Sequence, residues 1–351
     1  MGICASRQDT NEPMTLHPGL PNINNNCFLN ALLQALHHSQ AFSALLDSPD
    51  TNPVLRDAFK SLFTDKRASI QSILSLVPEV NDDRPHCAHS LFYRLMGVMA
   101  KKAKLTVSIK NRRDEELIVD WRTARGPLLF DSFGCLQQLA FTCSGCPAGW
   151  KSGSFSYSIS LPVTNLFRRN QAGWAFSDGK YNFPAIDIPG EAGENEDIVA
   201  NESVDIRDCF AYLQRKILMK AEDSLLCHGC HRDTQHYKTA QIAYAPKVLV
   251  LHLQRYNAGE KNNQLVAFPD KLRLGNVMQL EGKYHLHAVI HHYGTLTSGH
   301  YWTDVRVDGQ WQRFNDLNTS LVSWSEVVKE TAYVLFYTKK EGKSRLSSHY
   351  S

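Results

Sequence analysis

An α+β chain, helical in its first third and built mainly of antiparallel strands after that, is what three features of the sequence predict. Apolar residues recur at helical spacing from Cys27 onward, and again from His89 to Lys102. After about Gly126 the chain turns to short runs rich in β-branched and aromatic residues, punctuated by Gly, Pro, Asn and Asp. Two Cys-x-x-Cys pairs sit inside that strand-rich part, where they can tie distant turns together. With 351 residues, 43% of them hydrophobic, the chain can bury a proper core as one large domain or two modest ones.

In chain order, residues 1–18 have two prolines, scattered charge and no apolar period, and read as a flexible arm. The segment CFLNALLQALHHSQ sets Phe28, Leu29, Leu32, Leu33 and Leu36 on one helical stripe, with the preceding asparagines as N-caps, so Cys27 opens a helix. HSLFYRLMGVMAKK, from His89 to Lys102, reads as a second helix whose terminal lysines suit a helix C-terminus. The strands expected are FSYSISLPV, KTAQIAYAP, KVLVLHLQRY, YHLHAVIHHY, HYWTDVRV, WQRFND and YVLFYT. Between residues 165 and 203 the chain becomes rich in Gly, Asn and acids, with an acidic run from Glu191 to Asp197, and its second half reads as a mobile loop. Residues 341–351 read as a solvated tail.

Lys and Arg number 38 against 35 Asp and Glu, so the net charge of +3 offers no electrostatic footing for nucleic acid. No stretch approaches 18 consecutive apolar residues and no secretory signal opens the chain, which predicts an intracellular, cytoplasmic protein. Its nine cysteines are then thiols, metal ligands or a nucleophile rather than a disulfide framework.

The pairs Cys143/Cys146 and Cys227/Cys230, separated by residues 147–226, predict a four-thiolate Zn²⁺ site. The alternative, a redox dithiol, fits less well because neither pair follows a parallel strand and opens a helix. A closed four-sulfur site leaves no coordination position for substrate, so this zinc is structural. Cys27, at a helix start, has the dipole and free N–H groups that favour thiolate. Far along the chain, His300 ends a glycine-containing loop and begins a strand, and Asn315 and Asp316 end the next strand. An imidazole beside a carboxamide or carboxylate is the base and orienter that a thiol nucleophile needs, and the order Cys, His, Asn/Asp is that of papain-like thiol hydrolases.

At this point the sequence resembles the ubiquitin-specific proteases, papain-like cysteine isopeptidases. Gly19 to Asn30 (GLPNINNNCFLN) resembles the family's cysteine box. Tyr284 to Gly294, then Ser298-Gly299-His300-Tyr301, Phe314-Asn315-Asp316 and Ala332 to Tyr337, resemble its histidine box. Pro246 to Tyr256 is similar to the segment that joins fingers to palm, and the likeness runs from about Gly19 to Thr338. It implies a helical thumb (about 19–135), zinc-tied β fingers (about 136–245) and an antiparallel β palm (about 246–340), together one catalytic domain over 19–340. It further implies Cys27 as nucleophile, His300 as general base, Asn315 as orienter with Asp316 next to it, and Asn22 as oxyanion donor. His292, Gly299 and Tyr301 would lie against the substrate, and the partner would be ubiquitin or a ubiquitin-like modifier.

The chain departs from the family pattern in three places. Asn24 and Asn26 stand where the family usually has Gly and Thr, and Asn24 can still take the positive φ of a tight turn. Cys87 and Ser90 replace acids that help hold ubiquitin's basic tail, removing charge-assisted hydrogen bonds worth about 1.5–3 kcal/mol each. The expectation is a ubiquitin-like modifier, or weakly bound ubiquitin, although Cys87 alone reads as a packed thiol. The rival to an enzyme is a module that binds a modifier without cutting it, and the near-neutral charge disfavours a zinc-dependent nucleic-acid binder.

Met1-Gly2-Ile3-Cys4-Ala5-Ser6 fits the N-myristoylation pattern at Gly2, with Cys4 placed for a second acyl chain and hence peripheral membrane attachment. The basic residues Lys101, Lys102, Lys104, Lys110, Arg112 and Arg113 suit an anionic leaflet or a solvated loop equally. His37 and His38 are expected at the surface or rim, Cys135 and Cys209 as buried packing, and Trp174, Trp311 and Trp324 as core anchors.

Overall fold

The computed structural model describes residues 15–82, 84–100, 113–163, 175–177, 180–182, 204–257, 260–276, 280, 282–295 and 298–340. Gly2, Cys4, Lys101, Lys102, Lys104, Lys110, Arg112, Trp174, the acidic run at 191–197 and the tail at 341–351 lie outside the described residues. Among the described residues, helices Cys27–His37, Gln40–Leu46, Pro53–Lys60, Lys66–Ser75, Ala88–Met99, Asp114–Arg125 and Pro127–Phe133 precede the first strand. None of the described helices is long and apolar enough to cross a membrane.

The large sheet runs in the order Asn318–Val322, Gln310–Asn315, Gly299–Val307, Lys283–Gly294, Ala332–Lys339, Val248–Gln254, Ile159–Pro162, with Lys271–Arg273 beside Lys283–Gly294. Every pairing in it is antiparallel except that of Ile159–Pro162 with Val248–Gln254. Its central strands are apolar at consecutive positions because both faces are covered. Val248, Val250, Ile290, Val334 and Phe336 join the helices in one core, while Leu249, Leu251, Val289, Leu335 and Tyr337 join helix Ile206–Gln214 in another. That two-residue alternation is the strand geometry working on a buried sheet. The helix Cys27–His37, buried from Cys27 to Leu36, lies in the first core.

The smaller sheet is ordered Gly149–Ser156, Cys135–Cys143, His236–Tyr244, Ile217–Leu218 and is antiparallel throughout. FSYSISLPV, expected as one strand, is divided between the two sheets: Phe155 and Ser156 pair in the small one and Ile159–Pro162 in the large one. The break at Tyr157 and Ser158 is held by the Ser156 hydroxyl donating to the Ser158 carbonyl at 2.6 Å and by the Ser158 hydroxyl donating to Tyr93 at 3.1 Å. Ile159–Pro162, within the span expected for the fingers, is thereby the edge of the large sheet.

Three local expectations are corrected. The asparagine cap does not form: the Asn26 side chain accepts from no helix N–H, its Oδ1 accepting instead from Ile23 N at 2.6 Å in the preceding loop while its Nδ2 donates to Asn30 Oδ1 at 3.5 Å. The second helix spans Ala88–Met99 and has no basic residue in its last turn. The arm expected over 1–18 is anchored at its end, since His17 N donates to Gln312 Oε1 at 3.1 Å and Gln312 Nε2 returns a bond to His17 O at 2.8 Å. His37 and His38 are both half-buried, as a rim place requires; the His38 ring packs on Phe314 and His17, and burial pushes its pKa down to about 4. Cys135 and Cys209 are fully buried, and burial pushes each thiol up to about 12. Trp311 and Trp324 stack on each other as anchors.

Candidate active site

The loop before helix Cys27–His37 is folded onto the turn after strand Gln310–Asn315. Leu20 N donates to Asp316 O at 3.0 Å, and a Cβ on Gly19 would meet that oxygen at 2.2 Å, so this approach requires glycine. Asn24 and Asn25 both take positive φ, 57° and 60°, which makes room for the chain to turn into the helix. Asn26 O then accepts from Leu29 N and Asn30 N, each at 3.0 Å, and the helix begins with Cys27, 6% exposed.

His300, half-buried on strand Gly299–Val307, faces that cysteine. Its Nε2 stands 2.7 Å from Asn315 Oδ1. A carboxamide oxygen only accepts, so Nε2 carries the proton and Nδ1 is left for the thiol. The hydrogen bond to the Cys27 side chain, then that to Asn315 and the charge of Asp316, push the His300 pKa up to about 9 against the opposing effect of burial. An imidazole so placed can take the thiol proton and hold it as imidazolium.

Asp316 is 3.9 Å from His300 Nε2, too long for a hydrogen bond. Its carboxylate serves the other wall: Asn22 Nδ2 donates to one oxygen at 2.9 Å, and Asn30 Nδ2 to the other at 2.8 Å. Asn30 also donates to Pro21 O at 3.0 Å. Asn30 was not visible as a site residue; its signal is a buried amide at the turn of the helix facing the loop. Cys27, His300, Asn315, Asn22 and Asp316 thus converge from the two ends of the chain.

His292 and Tyr301, expected against the substrate, are 3% and 7% exposed and pack on each other and on Tyr333. The first two rings lie 4.4 Å apart, His292 Nδ1 meets the Tyr256 hydroxyl at 3.2 Å, and burial, with Lys261 and Arg255 nearby, lowers the His292 pKa to about 4. A Cβ on Gly299 would sit 2.4 Å from His292 Nε2, so the exposed Gly299 is the close-approach point beside His300. Cys87 is a packed thiol as expected: its sulfur accepts from Ser90 N at 3.5 Å, capping helix Ala88–Met99, and meets the Tyr333 hydroxyl at 3.0 Å.

At the tip of the small sheet, the sulfurs of Cys143, Cys146, Cys227 and Cys230 all lie within 4.8 Å of one another. Cys143 and Cys230 are 3.9 Å apart, and Cys146 and Cys227 3.5 Å. Tetrahedral Zn–S bonds of about 2.3 Å require sulfurs about 3.8 Å apart, so the cluster fits the ion. Gly145 N and Gly229 N donate to Cys143 and Cys227 at 3.3 and 3.4 Å, the knuckle pattern that favours thiolate.

A family model described as ubiquitin carboxyl-terminal hydrolase matches residues 18–337. A ubiquitin carboxyl-terminal hydrolase of Acanthamoeba polyphaga mimivirus is 30% identical over 202 residues, 54% of this chain and 41% of the relative. Human ubiquitin carboxyl-terminal hydrolase 21 is 32% identical over 146 residues, 39% of this chain and 26% of its own, and human Ubl carboxyl-terminal hydrolase 18 is 30% identical over 150 residues, 35% and 40%. The matches therefore span less than half the length of these relatives. Among solved structures, the chain is similar to a SAGA DUB module of Ubp8, Sgf11, Sus1 and Sgf73 bound to monoubiquitin, with TM-score 0.67 and 21% identity over 93% of this chain and 69% of that one. The same module bound to ubiquitin aldehyde gives 0.66 and 20%, over 93% and 70%. These likenesses show the thumb, palm and fingers fold.

Proposed function

Because the chain belongs to the ubiquitin carboxyl-terminal hydrolase family, we propose that it is a cysteine-type isopeptidase that removes ubiquitin or a ubiquitin-like modifier from lysine ε-amines or C-terminal extensions. The observation that carries this is the hydrogen-bonded line from Cys27 through His300 to Asn315. The Cys27 sulfur attacks the carbonyl of the modifier's C-terminal residue, forming a C–S bond and an oxyanion. Asn22 Nδ2 keeps a second hydrogen beyond the one given to Asp316, and with the backbone N–H groups at the helix start it supports that oxygen. Collapse expels the amine, which takes its proton from His300, and leaves a thioester. His300 then draws a proton from water, whose oxygen displaces the sulfur to release the modifier's carboxylate. Asn315 keeps the imidazole in the tautomer and orientation both steps need. Zn²⁺ on Cys143, Cys146, Cys227 and Cys230 supplies a structural clamp, outside the reaction.

The residues at the expected tail-binding positions, Cys87 and Ser90, are neutral, and their contacts are to Tyr333 and to each other. This supports a ubiquitin-like modifier as the better substrate. Electrophilic C-terminal probes built on ubiquitin and on several ubiquitin-like modifiers test both readings, scored by adduct mass beside Cys27→Ala. A Cys27-dependent adduct is expected, strongest with a ubiquitin-like probe. No adduct from any probe despite binding would leave a module that recognises without cutting, and a ubiquitin probe outpacing all others would remove the modifier preference. Acylation at Gly2 and Cys4, with membrane attachment, is proposed from the sequence pattern; an unchanged pelleting fraction in Gly2→Ala would dismiss it.

A further inference from the structure

The ring of Trp302 lies between the His300–Asn315 hydrogen bond and a set of buried charges. We propose that Trp302 is a positioning residue for the Cys27 chemistry, its indole clamping the His300 imidazole against Asn315 and keeping water from the bond between them. This rests on reading Cys27 and His300 as the reacting pair.

Two residues beyond His300 on one strand, Trp302 points to the same face of the sheet. The two rings are nearly parallel, 20° apart, with centroids 6.4 Å apart. On the neighbouring strand its register partner is His291, whose ring stacks on the indole at 5.4 Å and 19°. On the other side, extending the Thr303–Phe314 pair by one residue along each strand sets Trp302 opposite Asn315. One indole therefore stands parallel beside the imidazole and borders its orienter.

What backs the indole is fixed. The Arg313 guanidinium carbon lies 5.9 Å from the indole centroid, and its Nε and Nη2 donate to the two oxygens of Asp304 at 2.8 and 2.9 Å. Asp304 and His291 are fully buried and 3.1 Å apart, and Arg313 also reaches Glu330 at 3.3 Å. The indole N–H has no hydrogen-bond partner among the described residues, so the ring is held by its faces. His300 itself faces Cys27 from the helix, Asp316 at 3.9 Å, His292 and Tyr293 from the neighbouring strand, and Asn315. Of these, Cys27 and Asn315 hydrogen-bond the imidazole, and ring-nitrogen bonds lie near the ring plane and leave it free to tilt out of that plane. The indole face supplies the second restraint.

Alkylation of Cys27 by iodoacetamide, followed by mass from pH 5 to 10, reads the thiol–imidazole pair without needing any modifier. In the natural chain a correctly held imidazolium keeps Cys27 reactive into the acid range. Trp302→Ala should lower the rate at pH 6 about tenfold, a modest share of what a positioned base contributes, while at pH 10, where the thiolate needs no partner, the rates should agree. Trp302→Phe should retain most of the acid reactivity. Trp302→Leu, which keeps a branched apolar side chain without the π face, should lose it as Ala does. An acid range unchanged in Trp302→Ala and Trp302→Leu, with only the thermal midpoint lowered, would overturn the positioning role, as would its absence from the natural chain. A Trp302-dependent acid range in a chain that forms no probe adduct would refute the hydrolase reading and leave the positioning role standing.

Discussion

The chain has two cysteine centres, and they are held in opposite ways. Cys27 heads a helix buried from Cys27 to Leu36, and its partners come on strands of a sheet covered on both faces. The four-sulfur cluster stands beyond either core. Gly153 is the one buried residue of strand Gly149–Ser156, and Ile217, Leu218, Leu225 and Leu226 on the short strands nearby are exposed. A core can place a reacting group to a fraction of an ångström because close packing leaves few alternatives. A sheet with little to bury needs another source of order, and four convergent thiols supply it when they hold a metal. The cleft is therefore expected to be shaped before any ligand arrives, and the fingers to depend on an ion.

The sharpest way to break that contrast is to remove the metal. Structural zinc contributes an apparent ~10 kcal/mol or more in small domains built around it. Chelation at neutral pH, or Cys227→Ser, should release one equivalent of zinc and open the strands Cys135–Cys143, His236–Tyr244 and Gly149–Ser156 to hydrogen exchange. Amides of helix Cys27–His37 should stay protected, and iodoacetamide should still find Cys27 activated. If the cleft loses protection together with the fingers, the two regions are one cooperative unit and the contrast is wrong.

The next effect falls inside the cleft. Asp316 accepts from Asn22 and Asn30, so its two oxygens hold the Asn22 loop and the helix that Cys27 opens in one frame. In Asp316→Asn the side chain still tolerates φ 51°, but one oxygen becomes a donor facing a donor. Losing the placement of one oxyanion group costs about 10²–10³ in kcat, and partial misplacement should cost about 10–100-fold. The check is kcat against KM on a fluorogenic modifier substrate, with zinc content and thermal midpoint alongside. A fall in kcat with KM and zinc unchanged fits the frame. A change in KM alone would mean Asp316 holds substrate instead.

How much of this was legible differs by scale. Cys27 as a helix start, the four zinc-type cysteines, and His300 with Asn315 all lie in short patterns whose chemistry is local, and the structure brings each set together. The division of FSYSISLPV was not legible, because whether Tyr157 and Ser158 bend depends on Tyr93, far along the chain. The missing Asn26 cap has the same cause: the side chain has two uses, and the loop won it through Ile23. Helix Ile206–Gln214 had a readable signal that the surrounding Gly-rich and acidic stretch obscured, with Asp205 accepting from Arg207 N at 2.8 Å as its cap and Ile206, Cys209 and Phe210 as its stripe. The second role of Asp316 and the place of Trp302 need the register across strands, which one sequence does not state.

The smallest effect tests the seam where helices meet the large sheet. His38 packs on Phe314, and His89 stacks on His252 at 3.8 Å while bonding the Ser158 hydroxyl at 2.8 Å. Burial pushes both down to about 4 from an ordinary 6.5. In the unfolded chain they take up protons below 6.5 and in the folded chain only near 4, so the stability they contribute is present above 6.5 and is lost as pH falls toward 4. At pH 5.5 the loss is about 1.4 kcal/mol for each group. His300 runs the other way: raised to about 9, it stabilises fully below 6.5 and loses that contribution as pH climbs through 9. Thermal midpoints should therefore peak near neutrality and fall on both sides. His38→Gln with His89→Gln should flatten the acid side alone, and His300→Gln the alkaline side alone, the acid slope that persists in the double variant belonging to the other buried imidazoles, His287 and His292. With zinc kept saturating, an acid side that stays as steep in the double variant would move the cause from the seam to the remaining buried imidazoles, His287 and His292.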